Sequence, residues 1–140
     1  FKIIESVVSL GIPVMGHIGF TPQYYKKFSV QGLSEKDRLR LVQQAIKNEK
    51  AGVFSIVIEC VTDSVAKEIT KSLKIPTIGI GSSISCDGQI LVTDDMLGLS
   101  GFYPRFVKKF VKLDKIIEKG VQKYNKAVLN KKFPSKKNAF

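Results

Sequence analysis

A chain of 140 residues holds one domain with a modest core and is too short for two ordinary ones. Its 44% hydrophobic and 25% charged residues are those of a globular protein, and no apolar run approaches the roughly 18 residues that a membrane-spanning helix needs. The net charge of +11 raises nucleic acid as a partner, but the 23 Lys and Arg alternate with apolar stripes, even where they concentrate over residues 108–137. The expectation is therefore solvated helix faces, with neither nucleic acid nor membrane as partner. Two cysteines, Cys60 and Cys86, make no disulfide or metal framework, so a reducing, cytoplasmic setting is the default. The chain opens on Phe1 rather than Met and shows no secretory pattern, so it reads as the latter part of a longer sequence.

In chain order, residues 2–10 place Ile3, Ile4, Val7 and Val8 on one helical face, and Gly11 can close that helix in a left-handed conformation. Residues 12–16 read as a short strand, followed by a loop rich in Gly, Pro and aromatics up to Gly32. Ser34 is a helix cap with Asp37 three residues on, and Leu39, Val42 and Ile46 form the stripe of a helix that Gly52 ends. Residues 53–60 are the clearest strand, apolar on both faces until its end, as a parallel strand covered on both sides would be. Thr62 or Asp63 caps a helix with Val65, Ile69 and Leu73 inward. Residues 75–81 form another strand, a Ser-rich loop follows, and residues 89–92 are a fourth apolar run. Pro104 suits the first turn of a helix burying Phe106, Val107 and Phe110. Asp114 caps a last helix with Ile117, Val121, Tyr124 and Val128 inward. The expected division is a partial barrel over residues 1–130 and an irregular tail over residues 131–140.

Strands alternating with helices argue an α/β fold with parallel strands, either an open doubly wound sheet or part of a (βα)₈ TIM-type barrel. Side-chain parity favours the barrel. In residues 53–60, Phe54, Ile56 and Ile58 share one face and Val53, Ser55, Val57 and Glu59 the other. In residues 75–81, Ile78 and Ile80 point one way and Thr77, Gly79 and Gly81 the other. Bulky residues are expected against helices, and small ones at a ligand site in the barrel mouth. Four strands supply only half of an eight-stranded barrel, hence a C-terminal half.

Glu59 stands out chemically. It is a carboxylate at the C-terminal end of an otherwise apolar strand, where barrel active sites gather, and burial there would raise its pKa and suit it as a base. As a purely structural residue it would turn to water or cap the next helix. His17, the one histidine, lies between Gly16 and Ile18-Gly19, where the backbone admits a ligand closely; a hydrogen-bonded loop histidine is the plainer alternative. Gly79-Ile80-Gly81-Ser82-Ser83 can present backbone N–H groups to an anion, or be a tight turn. Asp87-Gly88 reads as a turn and Asp94-Asp95 as a helix start. No pair of carboxylates has the spacing of a metal site, and no hydrolase triad or zinc motif occurs.

Several segments together resemble one enzyme family. Gly11-Ile-Pro-Val-Met-Gly-His-Ile-Gly-Phe-Thr-Pro-Gln23, then Val30-Gln31-Gly32, Ile58-Glu59-Cys60-Val61, Ile75-Pro-Thr-Ile-Gly-Ile-Gly81, Asp87-Gly-Gln-Ile-Leu-Val92, Asp95-Met-Leu-Gly98 and Pro104-Arg-Phe-Val-Lys108 follow in the order of the ketopantoate hydroxymethyltransferases. The resemblance runs from near Phe1 to the C-terminus.

It implies a barrel enzyme of pantothenate biosynthesis. Such an enzyme transfers a one-carbon unit from 5,10-methylenetetrahydrofolate to 2-oxoisovalerate (3-methyl-2-oxobutanoate), giving ketopantoate. Glu59 would then be the general base, with His17, Gly79, Gly81 and Ser82 lining the substrate pocket. The resemblance also implies Mg²⁺ as cofactor, with no metal ligand in this chain, because the family's two Mg²⁺-binding aspartates and a substrate lysine lie in the N-terminal half. That half would end in a Lys-x-Glu-Gly-Gly stretch just before Phe1. A large homo-oligomer is implied for the full-length protein. Two features depart from the pattern: Ser82-Ser83 stands where Ala-Gly or similar small residues are usual, and Asn138 where a histidine is common. The alternatives are a non-catalytic remnant, or a related barrel enzyme using enolate chemistry on another oxo acid.

Overall fold

The structure is a computed structural model describing residues 1–24 and 27–140. Tyr25 and Lys26, inside the loop expected before Gly32, lie outside the described residues. Two compact units divide the chain, residues 1–90 and 91–140.

The first unit begins with α1 (Lys2–Ser9), β1 (Met15–Gly19) and α2 (Glu35–Lys50). It continues through β2 (Ser55–Glu59), α3 (Asp63–Ser72), β3 (Thr77–Ile80) and the two-residue β4 (Gly88–Gln89). The strands form one parallel sheet in the order β1-β2-β3-β4. This is α/β architecture with parallel strands, the pattern of part of a (βα)₈ barrel. Gly11 takes the left-handed conformation after α1, and Gly52 after α2. Ser34 caps α2 as its position suggests, its hydroxyl accepting from the Asp37 amide at 3.2 Å.

One face of the sheet packs on α2 and α3. Ile18, Ile56 and Ile58 join Leu41, Ala45, Val65, Ala66 and Ile69 in a single core, with Val42, Leu73 and Ile75 against its rim. Each Ile, Leu or Val side chain among them, fully buried, stabilises the fold by about 1.5–3 kcal/mol relative to exposure. Two expectations need correcting here. The buried stripe of α2 is Leu41, Ala45 and Asn48, while Leu39 is exposed. The buried Asn48 is tolerated because its Nδ2 donates to the Gln44 carbonyl at 2.9 Å, and because Gly16 leaves the space its Oδ1 fills.

The facing of β3 is also the reverse of that expected. Register sets Ile78 beside Val57 and Ile80 beside Glu59, so Thr77 and Gly79 take the helix-packed face. The reason is polar and steric. Thr77 lies 3.0 Å from the Thr70 hydroxyl of α3, and its amide and hydroxyl both donate to Asp87 Oδ2, at 2.8 and 2.9 Å. At Gly79 a Cβ would crowd Gln89 and Cys86, so a small residue is needed on that side.

The second unit holds α4 (Thr93–Leu97) and α5 (Leu113–Leu129). Gly98, left-handed, closes α4. Pro104 begins a turn rather than a helix, closed by the Val107 amide on the Pro104 carbonyl, and Phe110 is exposed. Asp114 lies inside the first turn of α5 instead of capping it, and Ile117, Val121, Tyr124 and Val128 are exposed. Within this unit α4, five residues long, is too small to cover that stripe. No described helix is long and apolar enough to cross a membrane.

Candidate active site

The neighbouring strands β1 and β2 bring together the two side chains that the sequence singled out, His17 from the middle of β1 and Glu59 from the C-terminal end of β2. His17 and Glu59 lie on the face opposite α2 and α3, on neighbouring parallel strands, and His17 Nε2 sits 3.0 Å from Glu59 Oε2. Both are partly covered, with side-chain exposures of 32% for His17 and 16% for Glu59. Burial pushes the Glu59 carboxyl above its ordinary value, while the charge and hydrogen bond of His17 pull partly against that rise. A carboxylate raised in this way, with a neighbouring imidazole able to share its proton, is equipped for general acid–base chemistry.

The tips are held together by backbone contacts that only particular residues permit. The Phe20 amide donates to the Glu59 carbonyl at 2.8 Å. Gly19, at φ +95°, makes this approach feasible: a Cβ there would overlap the Glu59 carbonyl and stand 2.7 Å from Val61 Cγ2. Cys60 follows Glu59 with φ +51°, an uncommon conformation for a residue with a side chain. Its amide donates to the Ile80 carbonyl at 2.9 Å and its carbonyl accepts from Gln31 at 2.8 Å. Burial, and then the charge of Glu59, push the Cys60 thiol up to about 11, so it stays protonated near neutrality and is no nucleophile.

Of the other residues expected in the pocket, Ser82 reaches the tip of β2. Its hydroxyl donates to the Ile58 carbonyl at 2.6 Å and accepts from the Val61 amide at 3.2 Å. Gly81, left-handed at φ +60°, turns the chain from β3 into that contact. Gly79 does not join them: it lies on the helix-packed face beside Ile58, away from the Glu59 carboxylate, for the register reason given above. Ser83 turns the other way, donating to Asp63 Oδ1 at 2.6 Å.

A cavity of about 390 Å³ adjoins His17 and Gly19, walled by Thr21 and by Arg40, Gln44 and Asn48 of α2. The α2 trio was not singled out in the sequence, although polar residues at helical positions i, i+4 and i+8 are a visible stripe. Arg40 pairs with Asp37 and donates to Gln31 and Gln44, both at 3.2 Å, which fixes the loop after β1 to the helix. Among the described residues no group of three or more His, Cys, Asp or Glu converges to hold a metal ion. The pair of His17 and Glu59 alone does not fit a Mg²⁺ site.

The family model of ketopantoate hydroxymethyltransferase matches residues 1–136. The chain belongs to that family. Three relatives named 3-methyl-2-oxobutanoate hydroxymethyltransferase illustrate the match. That of Pelagibacter ubique (strain HTCC1062) is 47% identical over 139 residues, covering 99% of this chain and 54% of the relative. That of Thermotoga maritima is 48% identical over 143 residues, covering 99% and 53%. That of Clostridium botulinum (strain 657) is 49% identical over 141 residues, covering 98% and 51%. The chain spans about half the length of the curated relatives it matches. The names of these hydroxymethyltransferases make them transferases.

Proposed function

We propose that this chain supplies the proton-abstracting part of a 3-methyl-2-oxobutanoate hydroxymethyltransferase, with Glu59 as general base. The observation that carries the proposal is the His17–Glu59 pair at 3.0 Å, on adjacent strands, with burial raising the carboxyl. The hydrogen next to the substrate's ketone is weakly acidic. A base whose pKa has been lifted toward the working pH takes it most readily, and a positioned base contributes roughly 10²–10⁴-fold. Glu59 removes that hydrogen, and His17 holds the carboxylate and shares the proton. The enolate carbon bonds to the methylene carbon of 5,10-methylenetetrahydrofolate, whose two C–N bonds break to release tetrahydrofolate, while water supplies the new hydroxyl and the balancing proton. The product is ketopantoate, and the setting is pantothenate biosynthesis in the cytoplasm, in a homo-oligomer. Gly81 and Ser82 belong to the wall of the substrate pocket in this reading. Mg²⁺, the cofactor that family membership implies, takes its ligands from residues outside this chain.

The test is exchange of the oxo acid's C3 hydrogen into deuterated water, followed by NMR with the full-length protein. Glu59→Gln is expected to slow exchange by about 10²–10⁴-fold while the protein stays folded. Exchange at the wild-type rate would remove Glu59 from the mechanism.

A further inference from the structure

We infer that Gly19 and Ser82 are positioning residues for Glu59, bracing the turn at the tip of β2 from its two sides. The inference rests on the reading of Glu59 as base. Cys60, immediately after it, holds a left-handed backbone although it carries a side chain. Such a conformation persists only where its surroundings over-determine it, and it concentrates at sites where geometry matters.

Here the surroundings are explicit. From the β1 side, Gly19 lets the chain come close enough for the Phe20 amide to bond the Glu59 carbonyl. From the β3 side, the Ser82 hydroxyl spans the turn, binding the carbonyl of Ile58 just before Glu59 and the amide of Val61 just after Cys60. Val61 is buried, so water would not readily replace that acceptor. The neighbouring Ser83 points instead to Asp63 at the start of α3, which assigns the two adjacent hydroxyls different tasks.

If either brace is lost, Cys60 relaxes toward an ordinary φ, and the peptide between Glu59 and Cys60 rotates. The carboxylate then leaves its place beside His17. A methyl at position 19 acts more strongly than loss of the Ser82 hydroxyl, because it collides with backbone while the hydroxyl is one bond pair among several.

The experiment compares Gly19→Ala, Ser82→Ala and Ser82→Thr in the full-length protein. The readouts are steady-state kinetics, ¹³C NMR titration of the Glu59 carboxyl, and hydrogen exchange at the Val61 amide. Displacement of the base should cut kcat by about 10²-fold in Gly19→Ala and about three- to tenfold in Ser82→Ala. KM should stay within about twofold, the pattern of a defect confined to the reacting centre. In both variants the Glu59 midpoint should fall toward its ordinary value as water reaches the carboxylate. In Ser82→Ala the Val61 amide should exchange faster. Ser82→Thr keeps the hydroxyl and should restore all three readouts.

Unchanged kcat and an unchanged Glu59 titration in folded variants would overturn the inference. So would a loss of stability with no movement of the titration, or a threonine variant behaving like the alanine one. If Gly19→Ala does not fold, the two Ser82 variants decide. Failure of the base reading itself shows separately, as undiminished exchange in Glu59→Gln.

Discussion

On the helix-packed face of the sheet, Ile56 and Ile58 are fully buried against Leu41, Val65 and Ile69, and the polar Asn48 and Thr77 buried there are hydrogen-bonded. One residue along the same strand the rules change. Val57 is half-buried, Met15 beside Ser55 is exposed, and the Ser55 hydroxyl is buried without a hydrogen-bond partner among the described residues. Glu59 tops that face with His17. A single strand therefore carries the packed core on its even-numbered residues and the proposed base on its odd-numbered ones, because successive side chains in a strand point to opposite faces. Side chains on the packed face have little freedom to change, and those on the other are placed by it.

That contrast predicts unequal costs. Ile58→Ala should destabilise the protein by about 2–5 kcal/mol, since it leaves a cavity in a packed core. Val57→Ala, next to it on the other face, should cost only about 1 kcal/mol for its partly buried methyls. Urea unfolding of both variants measures this, and equal costs would break the comparison. An effect between those two is expected at the edge of the packed face. Asp87→Ala strips the buried Thr77 of its acceptor and should cost about 1–3 kcal/mol. The bonds from the Thr77 amide and hydroxyl hold the Asp87 carboxyl below the ordinary 3.8. Its contribution is thus present above that pH and is lost as pH falls through the folded value. Acid unfolding of the variant should accordingly begin from a lower plateau and show a shallower slope.

The smallest effect belongs to Glu59, and its sign is opposite. Its folded pKa lies above the ordinary 4.5. The folded state therefore binds more protons than the unfolded one between those two values, and stability falls as pH rises through that window. Glu59→Gln should flatten this part of the stability–pH curve. A variant with the wild-type slope would show that burial does not act on this carboxyl.

Much of this layout could be read from the chain. The strand ending in Glu59 was legible because an apolar run broken by Ser55 alone and closing on an acid has few other readings, and Ser34 announced α2 by its spacing to Asp37. The His17–Glu59 meeting was suggested only through family resemblance, since a separation of 42 residues along the chain carries no distance. The stripe of α2 was misread by a fraction of a turn, because Asn48 counts as polar until Gly16 is seen to leave room for it. The facing of β3 was misread because two isoleucines outweigh a threonine by hydrophobicity, whereas Thr70 and Asp87 reward the threonine with hydrogen bonds. The role of Gly19 was invisible for a similar reason: a glycine carries no signal of what it leaves space for.

By itself the sequence determined the alternation of strand and helix, the parallel α/β class, and the residue types available for proton transfer. These follow from local periodicity and from the short reach of caps and turns. Register was decided only in three dimensions, and with it which face of β3 meets the helices, how close His17 comes to Glu59, and how Ser82 grips the turn at Cys60. Those outcomes depend on contacts between residues far apart in the chain, where one hydrogen bond or one missing Cβ outweighs the average tendency of the side chains involved.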